Sequence, residues 1–361
     1  MMKKTWAALL TAAMTAATLA GCANANSAGS APATTAAAAE TKAAGESKAA
    51  GESKAADAGA TTDWPKKAVT VTLPYSAGGD TDTYCRALFQ AVGEKLGQNF
   101  VITNLTGGSG LVAAKDVMSK APDGYNIFFT HTGAALVQEA MGTADFSYTD
   151  NFTNVCTVAE DATYTLVALS PNGSYKQYSR GWNNLEDMIA DAKANPGVVR
   201  YSTVFGSTTQ YVGNSLEKAA GIQFDNIDVG TAAGDRLAAF LGGQVDLIAV
   251  NYMNVEDYIE KGDVIALGVF SDKPMDGVDV KTLKEQGYDC KSTKKYEVKF
   301  PAGADQAIVD KLSAACKEVA ESEEFKKTLA TYHAAPLYRD AETTGKEDKA
   351  EVEELKAAMA Q

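Results

Sequence analysis

Residues 73–82, Leu-Pro-Tyr-Ser-Ala-Gly-Gly-Asp-Thr-Asp, limit the architecture of this chain more than any other stretch, because they join a strand to a helix through a loop of small residues. Ahead of them, residues 68–73 alternate and carry four β-branched side chains, the pattern of a strand. After them, Tyr84, Ala87, Leu88, Ala91, Val92 and Leu96 recur at three- and four-residue spacing until Gly97 ends the helix. The turn Ser76-Ala-Gly-Gly79 lets a ligand reach backbone N–H groups at a helix N-terminus, where the dipole is positive. Such a loop holds a carboxylate or phosphate without a lysine.

The chain opens with Lys3 and Lys4, an apolar run over residues 6–20, and Leu19-Ala-Gly-Cys22, the form of a bacterial secretory signal ending in a lipobox. Residues 1–21 are expected to be removed and Cys22 to become the lipidated first residue. The apolar run is short for a spanning helix, so the expected state is exported and tethered by an N-terminal lipid anchor. Residues 22–62 form the tether: Ala, Ser, Thr, Gly, Lys and Glu predominate, with Lys-Ala-Ala-Gly-Glu-Ser at 42 and again at 48. As a flexible coil this spacer reaches roughly 35 Å.

The remainder, from Asp63 onward, is long enough for two medium α/β domains. Removing Lys3 and Lys4 from 33 basic residues leaves 31 against 46 acidic ones, a formal charge of −15. That balance argues against nucleic acid or anionic lipid as partners, and an anionic ligand must be held by local dipoles and hydrogen bonds. Cys85, Cys156, Cys290 and Cys316 form no CxxC; they pair in one of three ways or stay free and buried as small apolar residues.

Strand and helix patterns alternate along the chain, the rhythm of a parallel, doubly wound sheet. Strands are predicted at 99–103 and 125–130, with a helix at 109–120. A second series runs strand 163–169, helix 185–194, strand 198–203, helix 207–220, strand 227–229, helix 235–241, strand 245–250, helix 255–261 and strand 264–270. Ligands of open α/β sheets sit outside the carboxyl ends of strands, so a cleft between two such sheets is the default site. Residues 305–321 read as a capped amphipathic helix, and 342–361 as either a docked surface helix or a frayed end.

Residues 64–82, Glu94-Lys-Leu-Gly97, 104–110, Ala121-Pro-Asp-Gly-Tyr125, Ala194-Asn-Pro-Gly197, 201–208, Leu241-Gly-Gly-Gln-Val-Asp246 and Pro301-Ala-Gly303, taken in order, resemble the Bug-type extracytoplasmic solute receptors of tripartite tricarboxylate transporters. The resemblance implies a type II periplasmic-binding-protein fold of two α/β domains, residues 63–162 plus 294–361 and residues 163–293, with a ligand cleft at the hinge. It implies a monomer that binds a small organic acid, a di- or tricarboxylate or an amino acid, without cofactor or metal, and delivers it to integral-membrane permease subunits. By position the first pincer is Tyr75, Ser76, Ala77, Gly78 and Gly79 with Asp82. The second is Leu105, Thr106, Gly107, Gly108, Ser109 and Gly110. Thr130 and Thr132 flank His131 at a strand end, where the histidine either lines the cleft or is structural. The opposing domain offers Gly206, Ser207 and Thr208, then Gly234, Asp235 and Arg236.

Two departures from the family pattern stand out. Asp80 replaces a common third glycine; it either caps the helix or disfavours a highly charged tricarboxylate and favours a neutral or ammonium-bearing acid. The usual Val-Pro-Tyr-Lys-Gly loop gives way to residues 228–236, where Arg236, one of five arginines, either forks a distal carboxylate or faces solvent from a first helical turn.

Enzyme signatures are thin. Gly108-Ser-Gly110-Leu-Val-Ala113 fits a dinucleotide fingerprint but reads better as the second anion-holding loop. His131 and His333 sit in no metal-ligand spacing, no G-x-S-x-G surrounds Ser109, and Ser292-Thr-Lys-Lys295 lacks the flanks of a serine–lysine nucleophile. A transport receptor, a sensor on the same fold and an exported hydrolase remain the alternatives.

Overall fold

The computed structural model describes residues 63–230 and 232–360. The expected signal peptide, Cys22 and the tether lie outside the described residues. Residues 63 onward fall within one compact unit, in which the described strands form two sheets.

The first sheet is built from β1 (Val69–Leu73), β2 (Phe100–Asn104), β3 (Asn126–His131) and β4 (Phe152–Asp161), joined later by β10 and β11. Its helices are α1 (Asp80–Leu96), α2 (Leu111–Met118) and α3 (Thr132–Ala140). The second sheet holds β5 (Tyr164–Leu169), β6 (Val199–Thr203), β7 (Phe224–Asp228), β8 (Leu247–Asn251) and β9 (Val264–Val269). It carries α4 (Leu185–Ala194), α5 (Thr208–Ala220), α6 (Ala233–Leu241) and the short α7 (Glu256–Glu260). The chain then returns to the first sheet as β10 (Lys294–Pro301), α8 (Gln306–Ala320), α9 (Glu323–Ala330), β11 (Ala335–Asp340) and α10 (Ala341–Ala360).

Both sheets are mixed, which refines the purely parallel reading. In the first, of order β11-β4-β10-β3-β1-β2, β1 pairs in parallel with β2 and β3, while β10 runs antiparallel between β3 and β4. In the second, of order β7-β6-β8-β5-β9, β6 is parallel to β7 and β8, and β5 is antiparallel to β8 and β9. The parallel portions are the βα units whose periodicity the sequence displays. The antiparallel strands are where the chain crosses between sheets, after Asp161 and before Lys294.

Element ends obey local chemistry. Gly97 and Gly221 close α1 and α5 in the left-handed conformation, at φ 66° and 63°. The helix expected over 109–120 divides, because Gly108–Gly110 forms a 3-10 turn before α2. Strands β4, β10 and β11 escape sequence patterning for a definable reason. Strand β10, Lys-Lys-Tyr-Glu-Val-Lys-Phe-Pro, is central and almost wholly buried, yet carries charges at Lys294, Glu297 and Lys299. Tail residues 341–360 form a docked helix: Val352 and Leu355 join the core of α2, α3 and Phe152, and Thr344 and Asp348 are buried. The four described cysteines are free and buried, as the small-apolar reading expects.

The β10 charges are matched. Lys299 Nζ lies 2.9 Å from Glu297 Oε2 and 2.8 Å from Asp348 Oδ2, with all three side chains almost wholly buried. Burial works against the ammonium, but the two carboxyls outweigh it and hold the Lys299 pKa up. Burial and the neighbouring Asp348 carboxylate push the Glu297 carboxyl well above its usual range, against the pull of Lys299. This cluster pins α10 to the sheet. Replacing Lys299 by Met strands a buried carboxylate and is expected to cost about 3 to 5 kcal/mol, read as a lower urea midpoint at unchanged m value; an unchanged midpoint would show that the cluster does not hold α10.

Candidate ligand-binding cleft

Five helices begin where strands of the two sheets end, and their first turns converge on one cavity of about 420 Å³. From the first sheet come the β1–α1 loop, the β2–α2 loop and the start of α3; from the second, the β6–α5 and β7–α6 loops. Helices α4, α8 and α9, which do not contribute to the cavity lining, are capped by their own Asn184, Asp305 and Ser322 side chains. Helices α1, α2 and α6 instead start on Gly79, Gly110 and Ala232, with no side-chain cap, and all three starts line the cavity. In α2 the Leu111 and Val112 amides bond back to Gly108 O and Gly107 O, and α3 and α5 are capped by the His131 and Ser207 side chains, so α1 and α6 are the helices that present uncapped amides to the cavity.

The two loops of the first sheet are laced together from behind. Asp82 is 4% exposed, and its carboxylate accepts from Gly78 N (2.9 Å), Arg86 Nε (2.9 Å) and Asn104 Nδ2 (2.9 Å). Burial opposes its ionisation, but these donors hold its pKa below the usual carboxylate value. Asn104 Nδ2 also donates to Tyr75 O at 2.9 Å, and Gln138 Nε2 donates to Ser109 O at 2.6 Å. Asp82, expected at the ligand, is thus committed to the loop scaffold. The second loop turns sharply: Ser109 sits at φ 54°, and Gly110 at φ 109° passes so close to Pro74 that a Cβ would lie 3.2 Å from the ring.

Of the residues expected from sequence, Tyr75, Ser76, Ala77, Gly78, Gly79, Thr106, Gly107, Ser109, Gly110, Ser207, Thr208, Gly234 and Arg236 line the cavity. Seven stand back from it. Besides Asp82, Leu105 packs against the core, and Gly108 lies against Leu111. Thr130 is buried in β3, and the Thr132 hydroxyl accepts Lys295 N at 3.1 Å. Gly206 sits on Thr143, and Asp235 lies beside Gly230. Thr208 Oγ1 donates to Gly133 O, tying α5 of one sheet to α3 of the other.

Asp80 is not the helix cap: Gly79 is, and Asp80 is the first residue of α1. Its carboxylate accepts from Lys294 Nζ and Tyr296 Oη, each at 2.7 Å, and from Thr81 N at 2.7 Å. Burial opposes ionisation, yet Lys294 and Tyr296 hold the Asp80 carboxyl far below its usual range. Lys294 Nζ also donates to Asn251 Oδ1 at 2.7 Å and lies 3.5 Å from Asp161 Oδ2. Asn251, from the second sheet, donates in turn to Asp161. Lys294, Asn251, Asn254, Tyr164 and Thr209 also line the cavity, and the sequence reading does not single them out. Lys294 lies inside the serine–lysine pattern discounted for catalysis; its burial is visible only once β10 is placed.

Arg236 lines the cavity at 8% exposure, which corrects the solvent-facing alternative, and its positive charge opposes the rise that burial gives the Tyr164 phenol pKa. His131 lines the cavity, stacked on Tyr75 at 4.8 Å. Its Nδ1 accepts Ala134 N at 3.2 Å, so the neutral ring carries its proton on Nε2. Burial, then the Lys294 ammonium, push the His131 pKa down to about 3.

Two mixed α/β sheets with a cleft of helix N-termini define the periplasmic-binding-protein class. The family model described as "Tripartite tricarboxylate transporter family receptor" matches residues 84–360, and the chain belongs to that family. It is accordingly a solute receptor and not an enzyme. Among curated relatives it is similar to the "UPF0065 protein in gbd 5'region" of Cupriavidus necator, 29% identical over 82% of this chain and 90% of that protein. Protein BugT of Bordetella pertussis is 25% identical over 78% and 85%. In fold it matches MatC of Rhodopseudomonas palustris with bound malate (TM-score 0.72, 23% identity, 82% and 99% of the two chains). The R. palustris protein Rpa4515 with adipate matches equally (TM-score 0.72, 23%, 82% and 97%).

A histidine buried neutral destabilises the fold wherever the unfolded chain takes up the proton that the native state refuses. Stability is therefore lost as pH falls from the unfolded value near about 6.5 towards 3, by about 1.4 kcal/mol per pH unit. Between about pH 6.5 and 5, stability from urea unfolding should fall towards acid more steeply in the wild type than in His131→Asn, by this one-proton slope, because the buried carboxyls whose pKa is raised contribute equally to both proteins. Asn at position 131 keeps a capping side chain but has no proton to take up; equal slopes in the two proteins would refute the neutral, buried ring.

Proposed function

We propose that the cleft captures a small organic acid outside the cytoplasm and that the receptor hands it to the integral-membrane permease of a tripartite tricarboxylate-type transporter. The observation that carries this reading is that five helix N-termini open on one cavity and that two of them, α1 and α6, begin with no side-chain cap. A carboxylate placed there satisfies orphan amides that are otherwise left to water. Arg236, on the opposite wall, receives a second acidic group. Micromolar affinity needs about 8 kcal/mol, and charge-assisted hydrogen bonds supply roughly 1.5 to 3 kcal/mol each, so four or five donors suffice before immobilisation costs. Malate and adipate, bound by MatC and Rpa4515, are acids of the size this cavity accepts.

In this reading residues 63–162 with 294–361 and residues 163–293 are the two closing domains, turning about the crossovers at Asp161 and Lys294. The receptor works as a monomer held to the outer membrane face by lipid on Cys22, with the tether allowing it to turn. Cys22→Ala should release the protein from the membrane fraction and abolish the acyl mass on the mature N-terminus.

Refolded, ligand-stripped full-length protein should show a thermal shift of several degrees with one class of di- or monocarboxylates or amino acids, and none with uncharged analogues, since ligand at a hundred times Kd adds about 2.7 kcal/mol. No shift with any acid would overturn the reading. By calorimetry, Arg236→Gln should weaken the preferred diacid about tenfold or more while affecting the matching monoacid less.

A further inference from the structure

Resting on the carboxylate-receptor reading, we infer that Asp80 is a specificity-determining residue that sets an upper limit on ligand charge, admitting mono- and dicarboxylates and excluding tricarboxylates. The cavity floor contains a lysine, the residue that would ordinarily make room for an additional carboxylate. Lys294 is not offered to the ligand. Its side chain is 4% exposed, and its ammonium donates to Asp80 Oδ2 and to Asn251 Oδ1, each at 2.7 Å, with Asp161 Oδ2 at 3.5 Å. Two carboxylates thus surround one ammonium. Of the two carboxylates, Asp80 is the one that lines the cavity, and its side chain keeps 19% exposure against 1% for Asp161.

The charges support a low limit. Asp80 and Asp161 against Lys294 and Arg236 sum to zero in and directly behind the cleft. His131 adds nothing at neutral pH, because it stays neutral. A ligand carboxylate at the glycine loops meets helix amides, and one at the far wall meets Arg236. A third carboxylate, directed to the floor, meets the Asp80 carboxylate with Lys294 already engaged behind it. In a partly enclosed cleft, a like-charge contact at van der Waals range is screened less than one on the open surface. Asp80 also accepts from Tyr296 Oη and Thr81 N at 2.7 Å each, so its oxygens are already supplied with donors and it has little to gain from a ligand ammonium. The residue acts as a barrier to charge more than as a hook for amines.

Glutarate and tricarballylate test this directly, since they share a five-carbon backbone and differ by one central carboxylate. Calorimetry on ligand-stripped, full-length protein at about pH 8 should find glutarate bound at least about tenfold tighter than tricarballylate by the wild type. In Asp80→Asn, which keeps the shape and removes the charge, that ratio should fall about tenfold or reverse, while glutarate affinity itself changes less. A merely structural role for Asp80 would weaken both acids together and leave the ratio unmoved, which would overturn the inference. Asp80→Ser serves as a second variant, with glutarate binding as the check on folding. Should neither variant fold, equal affinity of the wild type for the two acids overturns the inference by itself. Failure of the wild type to bind any acid would instead remove the carboxylate-receptor reading, and this inference with it.

Discussion

An ammonium taken out of water is costly, and the way this protein satisfies Lys294 organises everything around the cleft. Lys294 opens β10, the strand on which the chain returns to the first sheet. Asp161 closes β4, the strand on which it leaves, and Asn251 ends β8 of the second sheet. Asp80 begins α1, directly after the first glycine loop. Burial alone would depress the lysine pKa, yet Asp80 and Asp161 more than reverse it. The same four side chains therefore join both crossovers, a strand end of the opposite sheet and the ligand-facing end of a helix. None can move far without leaving a buried charge exposed to an apolar surround.

The loops that face the ligand are held by a second set of bonds that never reach it. Asp82, Arg86 and Asn104 fix the first loop against the second, and Gln138 holds Ser109 from below. Pre-setting the backbone in this way removes ordering cost from the binding step, so weak amide donors become useful. It also accounts for a chain of strongly negative charge binding an anion: the donors are short-range dipoles inside a cavity, where the screened long-range field of the surface counts for little.

Much of the fold and of the cleft is legible in the order of the amino acids alone. Helix 185–194 coincides with α4, and the strand–loop–helix at residues 69–96 appears as read. Thirteen of the expected site residues line the cavity, because small residues between a strand and a helix have a position dictated by local geometry. The departures share one cause. Asp82 reads as a ligand contact and Asp80 as a cap, since sequence places both at a helix entrance but not the Asn104 and Lys294 side chains that claim them. Strand β10 is invisible to patterning because its buried lysines and glutamate find partners on Asp80, Asp161 and Asp348, each far away along the chain.

The βα units, the glycine loops, the helix stops at Gly97 and Gly221 and the family are all written in the chain itself, because each depends on residues within one turn or one strand of each other. Tertiary packing selects which carboxylates are scaffold and which face the cavity, turns Arg236 inward, and docks residues 341–360 as a helix. Those outcomes depend on charge pairs and burial between segments up to 216 residues apart, as for Asp80 and Tyr296. Periodicity cannot encode a partner at that range; only the closed sheets bring the groups within hydrogen-bonding distance.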